Sequence, residues 1–587
     1  MSVVRKIWHL HQFDAEKVQF LAREANVPAV VAQILFNRGV RQPAEVRRFL
    51  DAPLNGLHAP ESLPGVPEAV ELLYETIEKK HKICIYGDYD VDGVTGTSIL
   101  YRLLTILKTP VQFHVPHRLE EGYGLNEGAL QKIAEDGCKL VVTVDCGIAS
   151  IQEAETARKL GLKLIITDHH EMKSVLPSAD VLVHPRLPDT HYPFDGLSGA
   201  GVAFKLAWAL AKKVSGGERV SAELREFLLD AVLLATLGLI ADVVPLLDEN
   251  RILVKHGLIR MKDKPFLGLK ALIDSANKDK EPNFKAEEVA FKLAPRMNAA
   301  GRLGCARLVV EMLTTDVPIK AHEVAAFLES QNHQRQTLEK KITQHAKEML
   351  AEVDLAHFPA AVLAHAEWHP GVIGIVASRI VEHIGRPSLM IAIKEGQPLA
   401  TGSGRSIPGF ELHKALKACE VDLVAHGGHA MAVGLKIEPK KIEDFRKRFT
   451  DYAGEHFPQG VPPAPRLNID AEVPLSSLTP QLLRDLDKLE PFGSQNSKPR
   501  FLAGGIKIVG EPKKMGQTGT HLNLFVQQGN TKMRAVGWGM ADRIEELMSA
   551  GGDCCLVFEP KINTWNGMSK IELEIRDLRP GANVELS

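Results

Sequence analysis

Gly87-Asp88-Tyr89-Asp90-Val91-Asp92-Gly93 crowds three carboxylates into five residues. Residues 82–86, Lys-Ile-Cys-Ile-Tyr, read as a short buried strand leading into it. Residues 95–107 read as the helix that follows, with Ile99, Leu103 and Leu107 on one face. Two carboxylates about 5 Å apart at an effective dielectric of about 20 repel by about 3 kcal/mol. No Lys or Arg lies between Asp88 and Tyr101, so a bound cation is the natural offset. A polar turn at a helix N-terminus also favours Asp and would explain one of them. Three at alternate positions on a strand end favour a metal site.

Outward from this stretch, strand and helix patterns alternate over residues 82–185. Strands are expected at 82–86, 111–115, 139–144, 163–167 and 180–184, with helices such as 150–160 between them. That alternation predicts a doubly wound parallel sheet, whose ligands sit at the carboxyl ends of its strands. Those ends carry Asp88, Asp90 and Asp92; His117 and Arg118; Asp145; and Asp168, His169 and His170. One such Asp is commonly a helix cap; agreement at four strand ends carries the expectation of a site. Residues 198–214 and 222–240 read as helices, the second apolar nearly all round and therefore buried. Asp242 follows it with the wrong sign for the helix dipole, so it needs a cation or a donor, and a metal is favoured.

The totals limit the classes open to the chain. A length of 587 residues calls for three or four domains. With a net charge of −2, any nucleic-acid binding must come from local basic surfaces. Seven scattered cysteines without a C-x-x-C pair argue against a disulfide framework or a thiolate zinc site. Residues 1–13 have no apolar core of a signal peptide. The apolar run 227–247 is broken by Asp230 and Asp242, leaving less than the about 20 residues that span a bilayer. A soluble protein of a reducing compartment is expected.

Residues 1–75 read as a mixed, helical segment, closed by Pro-rich punctuation at 53–67. Residues 294–304 read as a Gly/Ala loop with Arg296, Asn298 and Arg302, either plain surface or a phosphate clamp, since Arg binds phosphate bidentately. Residues 319–353 read as one long helix with a narrow apolar stripe, a partly solvated connector. A second α/β unit follows, with His369 in a Gly-rich turn, a Gly-rich stretch at Ser403, Arg405 and Ser406, and His429 in a second Gly-rich turn. Glycines beside a helix start let backbone N–H groups approach an anion. From Pro465 short strands alternate with turns, as in a small barrel of the oligonucleotide-binding (OB) kind. Residues 500–540 hold six basic residues and one Glu. Lys507, Lys513, Lys514 and Arg534 interleave there with Phe525 and Trp538, which suits either a single-strand groove or a barrel core with solvated lysines.

Together the motifs resemble the DHH phosphoesterase superfamily. They are Asp168-His169-His170, the 87–93 stretch, Val144-Asp145, Ala241-Asp242, Gly404-Arg405-Ser406 and Gly427-Gly428-His429. Within the superfamily the chain is similar to the RecJ family of bacterial single-strand-specific exonucleases, on residues 118–125, 294–304, 368–378 and 36–39 and the β-rich tail. The resemblance implies an α/β catalytic DHH domain (76–316), a connector helix (317–354), a DHHA1-like substrate-binding domain (355–456) and an OB-like nucleic-acid-binding domain (465–587). It implies hydrolysis of single-stranded DNA from the 5′ end in repair and recombination. Asp90, Asp92, Asp145, His169 and Asp242 would hold one or two ions, with Asp88 beside them and His170 orienting a ligand or touching phosphate. Mostly carboxylate ligands favour Mn²⁺ or Mg²⁺ over zinc. Arg118, Arg302, Arg405 and His369 would steady phosphates. The implied partners are single-stranded DNA, a single-strand-binding protein and a helicase, for a monomer with no membrane. Two rivals remain open: a superfamily phosphodiesterase for short oligonucleotides or cyclic dinucleotides, and a catalytically inactive single-strand-binding factor.

Overall fold

The computed structural model describes residues 6–118, 121–217, 219–277, 281–351, 358–549, 551–565, 568–581 and 586. Leu119 and Glu120 of the 118–125 motif, and the expected boundary at 354/355, lie outside the described residues. The acidic stretch ends the second strand of a five-stranded parallel sheet. Across it run Val111–His114, Lys82–Gly87, Cys138–Val144, Lys163–Thr167 and Val181–Val183. Leu140-Val141-Val142 and Leu164-Ile165-Ile166 are buried because both faces are covered. Helices Val66–Glu78, Val91–Ile106 and Gly199–Val214 pack on one face through Ile83, Ile85 and Val142. Helices Glu127–Glu135 and Ile151–Lys159 pack on the other through Cys84, Tyr86 and Val141. The strand order reverses between Lys82–Gly87 and Cys138–Val144, so the crevice at this switch point opens between Asp88 and Asp145.

The long helix is Pro318–Ala351. It is less a solvated connector than a shared one. Ala321, Val324 and Leu328 enter the core of the first sheet, while Ile342, Ala346 and Leu350 enter that of the second unit. That unit has a five-stranded mixed sheet, ordered Leu423–Gly428, Ala432–Ile437, Ala400–Arg405, Ser388–Ala392, Ala361–His365. The stretch with Ser403 and Arg405 is therefore a strand, not the glycine turn at a helix start that was expected. In the β-rich domain, strands Phe501–Ile508, Asp553–Trp565, Met568–Pro580, Thr531–Gly537 and His521–Gln528 pair in that order. Pairing of Lys507 with Gln527 and Ile508 with Val526 brings the last back to the first, closing the five into a ring.

Two further expectations need correction. The boundary placed between residues 75 and 76 falls inside the helix Val66–Glu78, whose Val66, Ala69, Val70 and Leu73 belong to the catalytic core. Pro67 at its first turn starts this helix rather than ending a domain. The residues before it are no separate unit. Ile7–Leu10 pairs in parallel with Arg466–Ile469, and helices Ala15–Ala25, Ala29–Asn37 and Pro43–Asp51 share a core with the β-rich domain. Arg251 joins all three regions, donating to the carbonyls of Phe49 (2.7 Å), Leu489 (3.0 Å) and Glu490 (2.7 Å). The second correction concerns residues 294–304, where Ala294–Arg302 is a helix.

Candidate metal centre

The acidic groups arrive from three strand ends and two helix ends. Asp90 caps the helix Val91–Ile106, accepting from the Gly93 N–H at 3.1 Å. Asp92, in the first turn of the same helix, is buried and faces the start of the helix Gly199–Val214. There it accepts from the Ser198 hydroxyl (2.7 Å) and the N–H groups of Gly199 (2.6 Å) and Ala200 (3.1 Å), a favourable place for an anion. Asp145 leaves its strand with φ +64°, the left-handed region that Asp tolerates better than most residues. Two glycines make room for these carboxylates. A Cβ at Gly238 would lie 2.4 Å from Asp92 Oδ1, and one at Gly199 would lie 2.5 Å from Asp145 Cβ. Asp242 ends the helix Ala222–Ala241.

These side chains meet. His169 Nε2 lies 3.1 Å from Asp145 Oδ1, 3.6 Å from Asp242 Oδ2 and 3.8 Å from Asp92 Oδ2. Ligand atoms of Asp88, Asp90 and Asp145 fall within 4.8 Å of one another, as do those of Asp92, His169 and Asp242 and those of Asp145, His169 and His170. Asp145 and His169 each belong to two of these overlapping sets. Asp88 Oδ1, Asp145 Oδ1 and His169 Nε2 are buried without hydrogen-bond partners. Orphaned polar atoms are costly, and these three are the atoms a cation would satisfy. The donor set, oxygens with one imidazole, fits Mn²⁺ or Mg²⁺.

The electrostatics favour a cation at this place. Burial, then Asp92 and Asp90, drives Asp145 well above the usual carboxylate range. Burial and Asp90 do the same to Asp88. Asp92 is pushed up to about 6 by burial and Asp90, against its hydrogen bonds. Asp242 is pushed up to about 8 by burial, Asp92 and Asp90. Burial and the neighbouring His170 hold His169 down to about 3, so its imidazole is neutral and its lone pair available. Metal binding must therefore expel protons from Asp92 and Asp242. Mn²⁺ affinity is expected to climb as pH rises through 6 and 8, with proton release visible by calorimetry in buffers of different ionisation enthalpy. For stability the sign is opposite. Raised carboxylate pKa values give a contribution fully present below about pH 4 and lost as pH rises through about 6 and 8. In EDTA these groups should therefore lower the melting temperature across that window, and Mn²⁺ should cancel the loss.

Asp168 plays a part that residue type alone did not disclose. Burial opposes its ionisation, yet its bonds to His170 and the Ile148 N–H hold it to about 2. Oδ1 accepts from His170 Nδ1 (2.7 Å) and from the N–H groups of His169 (2.8 Å) and His170 (3.1 Å). Burial would lower His170, but Asp168 lifts it to about 9. Asp168 thus fixes the His170 imidazole and the backbone that carries His169. The Ser198-Gly199-Ala200 start that holds Asp92 was likewise missed; Ser before a Gly-rich helix opening was the available signal.

Beside the acids stands a cluster of arginines. The helix Ala294–Arg302 packs so closely that a Cβ at Gly301 would lie 2.5 Å from the Tyr89 carbonyl. Burial, then Arg118 and Arg405, lowers Arg302 to about 10. Arg302 donates to the Gly371 carbonyl (3.1 Å), in the turn where His369 Nδ1 accepts from the Gly371 N–H (3.1 Å). Arg118 lies 4.9 Å from the Tyr89 ring centroid, and Arg405 reaches Ser403 Oγ at 3.3 Å. Asn298 Oδ1 accepts from the Val91 N–H at 3.3 Å, beside Asp90. Two expected residues stay away. Arg296 pairs with Glu329 and donates to the Lys292 carbonyl; six residues along a helix turn it about 240° from Arg302. Ser406 is buried, its hydroxyl donating to the Phe410 carbonyl at 2.6 Å. His429 sits across from the catalytic sheet, 3.3 Å from Glu171.

Three family models match: the N-terminal domain of the DHH family over residues 82–236, the DHHA1 domain over 357–455 and the RecJ OB domain over 469–577. The single-stranded-DNA-specific exonuclease RecJ of Bacillus subtilis is 38% identical over 571 residues, which are 97% of this chain and 70% of that protein. The chain belongs to the RecJ family. The Escherichia coli member is 35% identical, over 86% of this chain and 87% of its own length. The crystal structure of RecJ from Thermus thermophilus in complex with Mn²⁺ superposes with a TM-score of 0.83 at 32% identity, covering 99% of this chain and 80% of that one. Its Mg²⁺ complex gives 0.78. Membership accounts for the order of domains along the chain: DHH first, DHHA1 second, OB last.

In the OB domain, Lys507 and Lys513 share an outer face with Phe525 in the pairing register, and Lys514 is exposed at the edge. Lys532 lies over Phe525 and Lys561 over Trp538, at 5.1 Å and 5.7 Å. Arg534 differs from the expected free cation: it is paired with Glu572 at 2.6 Å. Arg500 is paired with Glu559 at 3.2 Å. The basic window thus meets carboxylates from other strands of the ring.

Proposed function

We propose that this chain is a divalent-metal-dependent exonuclease that removes mononucleotides from the 5′ end of single-stranded DNA, in repair and recombination in the cytoplasm. The observation that carries the reading is the meeting of five carboxylates and a neutral His169, with orphaned ligand atoms, beside Arg118, Arg302 and Arg405. Asp90, Asp92, Asp145, His169 and Asp242 would hold one or two Mn²⁺ or Mg²⁺ ions, with Asp88 alongside. When bound, such ions supply Lewis acidity at the phosphodiester and lower the pKa of water there.

The protein's own groups do the rest. Asp168 holds the His169 backbone N–H and keeps His170 cationic. With Nδ1 committed to Asp168, His170 has its other N–H to offer a phosphate oxygen. Arg118, Arg302 and Arg405, with Ser403 and His369, grip the phosphates, and their charge favours the transition state. The second α/β unit supplies His369, Ser403 and Arg405 to this grip, and the OB domain carries the flanking strand on Lys507, Lys513, Lys514, Phe525 and Trp538. A single-strand-binding protein and a helicase would present the strand. Among the described residues no helix is long and apolar enough to cross a membrane.

The test is digestion of single strands labelled at either end, with Mn²⁺ or EDTA. Labelled mononucleotide should appear first from the 5′ label, only with metal, and far more slowly from duplex. Release from the 3′ label first would overturn the polarity. Hydrolysis confined to dinucleotides or cyclic dinucleotides, or strand binding without hydrolysis, would replace the reading with one of its rivals.

A further inference from the structure

A cavity of about 720 Å³ opens beside the metal centre. It lies between the end of the helix Ala222–Ala241, residues 285–302, Ile375 of the second α/β unit, and the OB side at 490–500. Two large apolar side chains stand in its wall uncovered: Phe291 is 75% exposed and Val243 67%. Both are held by unusual backbone. Phe291 is the middle residue of the π-helical turn Val289–Leu293, a rare arrangement that recurs at functional sites. Val243 directly follows Asp242 and has φ +60°, an outlier for a β-branched residue. Strain of that kind persists where surrounding structure imposes it and clusters at ligand sites.

The rim says what such a wall could receive. The cavity is lined by six cations against three carboxylates; Lys285, Lys498, Arg500 and Arg576 pair with those carboxylates, and the lining keeps a positive excess. At its inner end is Arg302 of the phosphate grip, and at its outer end are Arg500 and Arg576 of the OB domain. A ligand that presents a flat apolar face while strung on a line of negative charge is an unpaired nucleobase in a strand. We propose that Phe291 and Val243 form a slot for a nucleobase on the 3′ side of the scissile phosphate, with Phe291 stacking on its face. The inference rests on the nuclease reading and deepens it. A paired base has its faces taken by its duplex neighbours and cannot enter, so the slot selects for single strands. Every base has such a face, so it does so without regard to sequence.

The test uses steady-state kinetics of the full chain with Mn²⁺ on a strand of about 20 nucleotides, longer than a typical single-strand site. Phe291→Ala should raise KM about tenfold, as the loss of one base stack does, with little change in kcat. Val243→Gly should also raise KM without lowering the melting temperature, because glycine accepts the left-handed backbone. A strand with abasic sites at its second, third and fourth nucleotides should raise the wild-type KM to that of F291A, and F291A should then add nothing. A wild-type KM for F291A on the intact strand, or the same loss on intact and abasic strands, overturns the slot. A wild-type protein that leaves single strands uncut overturns the nuclease reading itself, which keeps the two failures apart.

Discussion

Asp145→Asn is expected to lower Mn²⁺-dependent hydrolysis of single-stranded DNA by about a thousand-fold, equivalent to roughly 4 kcal/mol in the barrier, and to raise the melting temperature measured in EDTA. The pairing of effects is the signature. Asp145 lies at the switch point, shares two of the ligand sets and has an orphaned Oδ1. Its carboxylate is opposed by burial and by Asp92, Asp90, Asp88 and Asp242. Without metal its ionised form is opposed by burial and like charges, so Asn, which never ionises, relieves the fold of that cost as pH rises. Asn keeps the shape and tolerates φ +64°. Loss of activity with an equal loss of stability would mean that Asp145 is a structural residue. Retained activity would remove it from the centre.

The second large effect lies away from the chemistry. Lys205 and Glu249 form an ion pair with both side chains fully buried. Glu249 also accepts from the His58 N–H at 2.8 Å and from Tyr192, and Lys205 donates to the His58 carbonyl at 2.6 Å. The pair thereby ties the 53–63 crossing to the helices Gly199–Val214 and Asp248–Asp263. Lys205→Met leaves a buried carboxylate without its cation and should cost about 3–5 kcal/mol. Adding Glu249→Leu should restore most of it, because a well-packed apolar pair replaces a buried ion pair at little cost. Urea denaturation of the single and double variants measures both. A double variant no more stable than K205M would show that the Glu249 hydrogen bonds, rather than the charge balance, hold the crossing.

The acidic centre was legible because its parts are local. Strand ends are recognisable from short apolar runs, and a doubly wound sheet gathers strand ends by its topology. Asp242 was legible through its wrong sign at a helix end. Other features depend on partners that sequence distance hides. Arg296 reads like Arg302 in the chain, but the helical turn sends it to Glu329. Ser406 reads as a polar group in a Gly-rich motif, yet the strand turns it inward to Phe410. The positive charges of Arg500 and Arg534 are met by Glu559 and Glu572, brought across by strand pairing. Residues 6–51 give no hint that their apolar faces complete the core of the β-rich domain at the other end of the chain; the pairing of Ile7–Leu10 with Arg466–Ile469 and the packing of Val18, Ile34 and Leu35 reveal it. Phe291 and Val243 carry no motif, since their meaning lies in backbone geometry.

One measurement bears on all of this: an anomalous difference map at the manganese edge from crystals grown in Mn²⁺. One or two peaks are expected in the crevice between Asp88, Asp145 and His169, within about 2–2.5 Å of carboxylate oxygens or the His169 Nε2. Full-occupancy manganese bound elsewhere, with that crevice featureless and the carboxylates paired to protein groups, would contradict it.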